Sequence, residues 1–447
     1  MKFLLIQPPL EDFYTTPIRL YPLGLLYVAG TLMALGQQVE ILDCLAPLKK
    51  RQLAIPDEFG YLGATVKNNP YFFKHYYRFG LSNTEIVSAV QKSQPDWIGI
   101  SANFTAYYQS VDELVHIITR ETGIPIFIGG NHATLFATEC KQRTPAIETV
   151  LTGAAESALP SFVASLTGDK TLPNQIDWRQ IQPAHHLLPA EQYRIGKKLY
   201  VSLIASRGCP YHCDFCNTHR LFGRQTTYRS ITDLLAEMDW NYLNKGTRIF
   251  NFEDDNLSYH RDWLVEFLRA LILDPVLQGI ELTAMNGICY PTLDEELLRL
   301  MKTAGFRQLN LSYVTHSQAL RRQFHRPSQQ DQIEENFAGL IKTAQRLGFF
   351  LTVYVIIGLP GQTYTEVKDS IDYLYGLGVL VGPSVLYHTP GSALFERWLR
   401  LHDSEPPAWN SCRSSAFAVE TASLSREQLI DLFCYTRKRN LAKRRRG

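Results

Sequence analysis

Apolar runs alternate with amphipathic stretches along the first third of the chain. Residues 2–7 form an apolar run that ends in two prolines, as expected of a strand buried on both faces. Residues 21–36 predict a helix with a proline in its first turn and a glycine at its end. This alternation predicts a doubly wound parallel sheet of the Rossmann-like type, in which ligands bind beyond the carboxyl ends of the strands. The further strands predicted here are Val39–Asp43, Trp97–Ser101, Ile124–Gly130 and Thr149–Gly153.

The same alternation resumes at Leu199 and continues to about residue 390. Helical stretches such as 294–304 and 366–377 separate the apolar runs. Six strand–helix units predict a partial (β/α)6 barrel, with the chemistry at the carboxyl ends of its strands. The predicted strands are Tyr200–Ala205, Arg248–Phe252, Ile280–Ala284, Gln308–Ser312, Phe350–Ile357 and Val385–Tyr387.

The α/β alternation divides the 447 residues into segments. Residues 1–170 are predicted to form the first domain, and residues 171–196 a polar, proline-punctuated linker. Residues 197–400 form the predicted barrel, and residues 401–447 a helical segment with a basic tail.

The composition, 45% apolar and 20% charged, is that of an ordinary globular protein. A net charge of +2 provides no global attraction to nucleic acid, and the basic run from Arg437 to Arg446 is typical of a solvated terminus. No apolar run reaches the ~18 residues that a membrane span requires, and the first residues do not form a signal peptide. Five scattered cysteines predict buried thiols, so we expect a reducing, cytoplasmic location.

Three further cysteines lie close together in one predicted loop. Cys209, Cys213 and Cys216 have the spacing C-x3-C-x2-C, with no fourth cysteine nearby. Three thiolates around a cubic iron–sulfur cluster leave one iron open to an outside ligand, which favours catalysis. A structural zinc ion would need a fourth ligand, and His212 or His219 would supply one. The cysteine spacing alone does not distinguish an iron–sulfur cluster from a structural zinc site.

The residues around these cysteines resemble the signature loop of the radical S-adenosylmethionine (SAM) superfamily. The shared features include Gly208 and Pro210, which flank the first cysteine, and Phe215 before the last. Turns at residues 358–363 and 390–392 also match. The resemblance implies a [4Fe–4S] cluster whose open iron chelates SAM and whose electron cleaves SAM to a 5′-deoxyadenosyl radical. It further implies an external electron donor such as flavodoxin or ferredoxin.

The same resemblance implies further residues around SAM. The family's acidic second strand end corresponds to Glu253, and Phe215 is its aromatic position. A glutamate that many relatives carry in the fourth strand is absent here, so Ser312 is expected to take part of its role. Gly358 and Gly361 would let backbone groups touch the adenine or ribose without an intervening side chain. Tyr313 and His316, which follow Ser312, would line the substrate space or pack the loop.

The first domain is similar to the cobalamin-binding domain that precedes many radical SAM enzymes. The similarity rests on the strand ending Gly129-Gly130-x-His132 and on a later Gly-x-x-Glu. The motif Asp-x-His-x-x-Gly, which supplies an axial histidine elsewhere, is absent from the first strand–helix connection. The resemblance therefore implies cobalamin bound without that ligand, with His132 as a lining residue. The alternative is a domain that keeps the fold without the cofactor.

These features predict a cobalamin-dependent radical SAM methyltransferase that acts on an unactivated carbon of a small molecule. A second hypothesis keeps the radical step but transfers no methyl group, giving a cyclisation, dehydration or rearrangement. A third is a structural zinc protein that binds nucleic acid through the basic tail. Membrane and nucleic-acid partners are not favoured by the composition.

Overall fold

The computed structural model describes residues 1–17, 21–325, 333–401 and 406–444. Arg445 and Arg446 of the basic tail lie outside the described residues. The chain forms two compact units, each assembled from more than one segment. The first comprises Met1–Gly63, Phe73–Tyr193 and Pro407–Cys412, and the second Ala64–Phe72, Arg194–Pro406 and Arg413–Gly447.

The first unit is built on a five-stranded parallel sheet of order β3-β1-β6-β7-β8. The α/β fold predicted for this part of the chain is confirmed. Up to residue 193 the chain forms β1 (Lys2–Gln7), β2 (Leu10–Asp12), α1 (Leu23–Ala34), β3 (Gln38–Asp43), β4 (Lys50–Leu53), α2 (Gly63–Asn68), β5 (Tyr76–Phe79), α3 (Asn83–Ser93), β6 (Trp97–Ser101), α4 (Tyr108–Thr122), β7 (Ile126–Gly129), α5 (Asn131–Leu135), α6 (Ala137–Arg143), β8 (Thr149–Leu151) and α7 (Ala155–Thr167).

Apolar side chains on both faces of the sheet explain why β1 is apolar throughout. Leu4 and Ile6 pack into one core with α3 and α4, while Phe3 and Leu5 pack into another with α1 and α7. The strand order reverses between β1 and β6, because successive strands are added first on one side of β1 and then on the other. Doubly wound sheets bind ligands at this reversal, beyond the carboxyl ends of the strands.

A small antiparallel sheet of order β2-β5-β4 lies in the stretch between β1 and α3. No prediction from the sequence covered this sheet. Its strands are three and four residues long and polar at many positions, so neither a periodic apolar run nor a turn signature marks them. Local pairing within the folded unit, not the hydrophobic pattern, forms this sheet.

The second unit contains six parallel strands that succeed one another as β10-β13-β14-β15-β16-β17. Parallel bridges at Leu282–Phe306 and Ile288–Leu311 join the two halves, so the predicted partial (β/α)6 barrel is confirmed. Its elements are β9 (Arg194–Ile195), β10 (Lys198–Leu203), β11 (Ser206–Arg207), α8 (His219–Phe222), β12 (Thr227–Tyr228), α9 (Ile231–Lys245), β13 (Ile249–Phe252), α10 (Arg261–Leu273), β14 (Glu281–Thr283), α11 (Glu295–Ala304), β15 (Gln308–Val314), α12 (Gln318–Gln323), α13 (Ile333–Arg346), β16 (Phe350–Ile357), α14 (Tyr364–Gly376), β17 (Leu380–Val385), α15 (Ala393–Leu401) and α16 (Arg426–Arg444).

The sixth strand lies earlier in the chain than the sequence predicted. It spans Leu380–Val385, whereas the pattern favoured 385–387. The strand contains Gly382 and Pro383, which resemble a turn in sequence. Proline is tolerated because β17 is an edge strand, and a Cβ at Gly382 would collide with the ring of Tyr354 on β16.

Within the described residues, no helix combines the length and the apolar character needed to cross a membrane.

Candidate active site

The three clustered cysteines line one cavity of about 200 Å³ in the second unit. They lie in the loop between β11 and α8, and each is partly exposed. This loop follows the carboxyl end of β10, where a (β/α) barrel places its chemistry. The other lining residues are Tyr211, Phe215, Thr218, His219, Asp255, Asn256, Asn286, Gly287, Cys289 and Ser312.

Two aspartates at the end of β13 hold the start of the cysteine loop. The buried carboxylate of Asp254 accepts hydrogen bonds from Ala205 N (3.1 Å), and from both N and Oγ of Ser206 (2.6 Å each). Burial raises the pKa of Asp254 to about 7, although these hydrogen bonds oppose the shift. Asp255 accepts from Gly208 N at 3.2 Å, directly before the first cysteine. The end of β13 therefore positions the loop that carries the thiols.

Glu253 is not among the residues that line the cavity. Its Oε1 atom accepts hydrogen bonds from Asn251 Nδ2 at 2.6 Å and from Ser202 Oγ at 3.3 Å, on neighbouring barrel strands. The carboxylate at the cavity wall is that of Asp255. Asp255 is therefore better placed than Glu253 for the contact with SAM that was expected of Glu253. The chain bends after β13 and turns the later residues toward the cysteines.

Asp255 and Asn256 are residue types that are also typical of a turn that caps the next helix. That helix, α10, begins five residues later and is capped by His260, whose ring accepts a hydrogen bond from Trp263 N. Both residues instead line the cysteine cavity. The only sequence signal was their position immediately after an apolar strand, which asparagine and aspartate share at many turns.

Phe215 and Ser312, which the resemblance placed near SAM, line the same cavity. The Phe215 ring also packs against an apolar cluster that includes Val314, Leu359 and Leu386. Cys289, one of the five scattered cysteines, lines the cavity as well, which the sequence did not indicate.

Gly358 begins a turn that is closed by a side chain of the turn itself. Gly358 N and Leu359 N both donate to Oε1 of the buried Gln362, at 2.8 Å each. Gly358 has a φ of 101°, which glycine adopts readily. It is not among the residues of the cavity wall. The contact between backbone groups at Gly358 and SAM is therefore not favoured, because its N–H is already used and the residue lies away from the cavity.

Gly361 also lies away from the cysteine cavity, so the structure does not support the contact with SAM that was expected of it. Gly361 is exposed, is not among the cavity-lining residues and has a φ of 90°. A Cβ at Gly361 would meet Leu320 Cδ2 of α12 at 3.5 Å, an ordinary packing distance. Its positive φ explains the glycine by the conformation of the turn that leads from β16 to α14. The structure therefore gives Gly361 a turn-forming role in place of the expected binding role.

Tyr313 and His316 do not line the cavity either. Tyr313 is fully buried and packs against Phe337 with ring centroids 4.5 Å apart, and its hydroxyl lies 2.8 Å from Nδ1 of His316. His316 in turn packs against Tyr373 of α14. Alternation along β15 explains this placement, since Ser312 and Tyr313 point to opposite faces of the strand.

The donor set of the cavity fits a cluster better than a zinc ion. Among the described residues, no three histidine, cysteine, aspartate or glutamate side chains are arranged to hold one metal ion. A cubic cluster does not require such convergence, because each thiolate binds a different iron. His219 lies at the cavity wall, and burial followed by the charges of Arg224, Arg220 and His212 lowers its pKa.

In the first unit, two glycines lie at the carboxyl end of β7, which pairs with β6 one strand away from the reversal. Gly129 ends β7, and a Cβ there would meet no atom closer than 3.7 Å. Gly130 has a φ of 118°, and a Cβ there would lie 2.9 Å from both Ala102 O and Asn103 Oδ1. Asn103 Oδ1 also accepts from Asn131 N at 3.1 Å. Gly129 therefore leaves space beside the backbone that suits the close approach of a large flat ligand, whereas the positive φ and the close neighbours of Gly130 require a glycine for the turn itself.

His132 does not line this edge. Its side chain is fully buried among the rings of Tyr108, Phe136 and Trp409, with Nδ1 3.1 Å from Thr105 Oγ1. Burial, with a smaller contribution from Arg143, lowers the pKa of His132 to about 3. The structure therefore gives this histidine a packing role in place of the expected lining role, because α5 starts at Asn131 and turns the next side chain into the core.

Comparison with known proteins identifies both units. The model of the radical SAM superfamily matches residues 203–374, and that of the B12-binding domain matches residues 15–163. A cytidylyl-2-hydroxyethylphosphonate methyltransferase from Streptomyces wedmorensis is 28% identical, covering 83% of this chain and 76% of that protein. The chain is an enzyme of the radical SAM superfamily with an N-terminal B12-binding domain, and its cofactors are a [4Fe–4S] cluster, SAM and cobalamin.

Solved structures share the fold across both units. The radical SAM methyltransferase TsrM from Kitasatospora setae, with cobalamin and a [4Fe–4S] cluster bound, gives a TM-score of 0.65 at 16% identity. The match covers 90% of this chain and 75% of that one. The cobalamin-dependent radical enzyme OxsB gives 0.67 at 14% identity, covering 97% and 65%.

Proposed function

We propose that this protein is a cobalamin-dependent radical SAM methyltransferase that methylates an unactivated carbon of a small molecule. One observation carries the proposal: a three-cysteine cavity at the mouth of a partial barrel and a glycine-lined B12-type strand edge occur in the same chain. The similarity to a methyltransferase from Streptomyces wedmorensis supports methyl transfer over the radical cyclisation, dehydration or rearrangement considered as the alternative.

The residues proposed to hold the cluster and SAM lie in the second unit, and those proposed to contact the corrin lie in the first. Cys209, Cys213 and Cys216 would hold the cluster, and Phe215, Asp255 and Ser312 line the cavity in which SAM would lie. Gly129 and Gly130 would let the corrin approach the backbone of β7. When bound, these groups supply a radical that abstracts hydrogen and a methyl group that replaces it.

An external donor must supply the electron, and the surface beside the cysteine loop favours an acidic one. His212, Arg220 and Arg224 are exposed there. Asp214, the only acidic residue from 211 to 225, is buried in an ion pair with Arg397. We infer a docking surface for a protein of the flavodoxin or ferredoxin class, since opposite charge steers association.

All eight cysteines are free of disulfides, which supports our proposal of a cytoplasmic location.

The test uses the full-length protein, purified and reconstituted anaerobically with iron, sulfide and hydroxocobalamin. With SAM, a reductant and candidate small molecules, we expect both 5′-deoxyadenosine and S-adenosylhomocysteine, the second only when corrinoid is present. Formation of 5′-deoxyadenosine without S-adenosylhomocysteine under any condition would favour the radical alternative. A colourless protein with one zinc per chain would contradict both enzyme hypotheses.

A further inference from the structure

The buried side chain of Asn256 lies at the cysteine cavity, and the two ends of its amide group have different surroundings. It follows β13, is only 4% exposed and lines the cavity together with the three cysteines. Its Nδ2 atom lies 3.9 Å from Cys209 Sγ, in a weak N–H···S hydrogen bond. Its Oδ1 atom is buried and accepts no hydrogen bond from the described residues. A buried acceptor is unfavourable while it lacks a donor, so this oxygen is available to an N–H or O–H group of a bound ligand.

The chemistry of Cys209 decides which end of the amide faces the sulfur. A thiolate is an acceptor, so only the NH₂ end of asparagine stabilises it. The carbonyl end is then available to whatever binds in the cavity. The cavity is polar on this side, since Asp255 and Asn286 also line it. Asn286 differs from Asn256 in one respect: its Nδ2 donates to Glu253 O at 2.9 Å and not to a cysteine.

A hydrogen bond to a cluster thiolate changes the energy of cluster reduction. Reduction adds negative charge to the cluster and its sulfur ligands, so a donor stabilises the reduced form more than the oxidised form. The donor therefore raises the reduction potential. Because Asn256 is buried, little water competes for its hydrogen bond to the sulfur.

We propose that Asn256 is a positioning residue that couples the two ligands of the cavity. Its amide N–H raises the reduction potential of the cluster through Cys209, and its carbonyl oxygen accepts a hydrogen bond from an N–H or O–H group of SAM. The proposal deepens the proposed function, since it assumes the cluster and SAM. It does not depend on methyl transfer.

Two variants separate the two ends of the side chain. Asn256→Asp keeps an acceptor oxygen but loses the N–H donor, while Asn256→Leu loses both at similar volume. We expect both variants to have a lower cluster potential than the wild type, with Asn256→Asp the lower because it adds negative charge. SAM affinity should fall about tenfold in Asn256→Leu and remain within about threefold in Asn256→Asp.

The measurements are an EPR-monitored redox titration and SAM binding to the reconstituted full-length protein. Asn286→Leu is the matched control, and its potential should equal that of the wild type. An unchanged potential in both Asn256 variants, or an equal shift in Asn286→Leu, overturns the proposal. Failure of both Asn256 variants to assemble a cluster overturns it too, because Asn256 would then be a folding residue. Absence of S-adenosylhomocysteine from the wild type rejects methyl transfer but leaves these results standing.

Discussion

Asp214, which lies between the second and third cysteines, forms an ion pair with Arg397 of α15. The same carboxylate is 2.8 Å from Nδ1 of His325, and Asp214 O accepts from Leu394 N at 2.8 Å. The cysteine loop is therefore tied to segments more than a hundred residues later in the chain. Because Asp214 is 6% exposed, this contact is screened less than a surface ion pair.

Removal of this ion pair should loosen the cysteine loop. Asp214→Ala leaves Arg397 and His325 without their shared carboxylate, so we expect lower iron content after reconstitution and a loss of about 1–3 kcal/mol in unfolding free energy. Arg397→Met should have a smaller effect in the same direction, since the arginine is partly exposed. Iron analysis and chemical denaturation measure both. Arg400→Met, a change at an exposed position of the same helix, is the control. An equal loss of iron content and unfolding free energy in this variant would show that the Asp214–Arg397 ion pair does not hold the cysteine loop.

Replacement of any of Cys209, Cys213 or Cys216 by alanine should abolish the iron–sulfur absorbance and the reductive cleavage of SAM, since each thiolate holds one iron. Cys289→Ala is the matched control, because Cys289 lines the same cavity but lies outside the signature loop. It should retain the cluster. A triple-alanine variant that still produced 5′-deoxyadenosine would reject the radical SAM assignment for this site.

Gly129 offers a cleaner test of the cobalamin edge than Gly130. A side chain at Gly129 meets no close neighbour, whereas one at Gly130 meets Ala102 and Asn103 and requires a positive φ. Gly129→Leu should therefore lower hydroxocobalamin affinity at least about tenfold with little change in melting temperature. Gly60→Leu, a substitution into open space elsewhere in the first unit, serves as control. Unaltered corrinoid binding by Gly129→Leu would remove this edge from the site.

The spectrum of the bound corrinoid should show no histidine-on shift, because His132 is enclosed in the core.

The burial of His132 also predicts that the unfolding free energy depends on pH. The unfolded chain, with a histidine pKa near 6.5, binds a proton that the folded chain excludes down to a pKa of about 3. Stability is thus lost as the pH falls below 6.5. Between pH 7 and 5 this amounts to about 2 kcal/mol for one group.

His132→Phe should remove this acid-dependent loss while preserving the aromatic packing. The difference in unfolding free energy between pH 7 and pH 5 should shrink by about 2 kcal/mol relative to the wild type. Urea denaturation of both proteins at each pH provides the measurement. Identical pH dependence in the two would show that His132 becomes protonated without unfolding.

Charge reversal beside the cysteine loop should slow reduction by a protein donor. For Arg220→Glu/Arg224→Glu we expect about tenfold slower reduction by reduced flavodoxin at low salt, and a smaller difference at high salt, where charges are screened. Reduction by dithionite should be unaffected. Arg269→Glu, on an exposed position of α10, is the control. An equal loss with dithionite would assign the defect to the cluster and not to docking.

The class of this protein could be predicted from its amino-acid sequence. Strand–helix alternation is a local property of the apolar pattern, and it predicted both the parallel sheet and the six-stranded barrel. The cysteine loop is contiguous, so its spacing and its flanking Gly208 and Phe215 were readable without any tertiary information. The short polar strands β2, β4 and β5 and the edge strand β17 were missed or displaced because their local patterns resemble loops.

The side chains that face the cavity could not be predicted from the sequence, because they depend on how the chain folds. Glu253 and Asp255 are two residues apart, so a continued strand would place them on one face, but the bend after β13 gives them different partners. His132 follows two glycines at a strand end, and the start of α5 directs it into the core. Asn256 and Cys209 are 47 residues apart in sequence and meet only in the folded chain. Side-chain direction depends on backbone geometry and packing, which a single sequence does not specify.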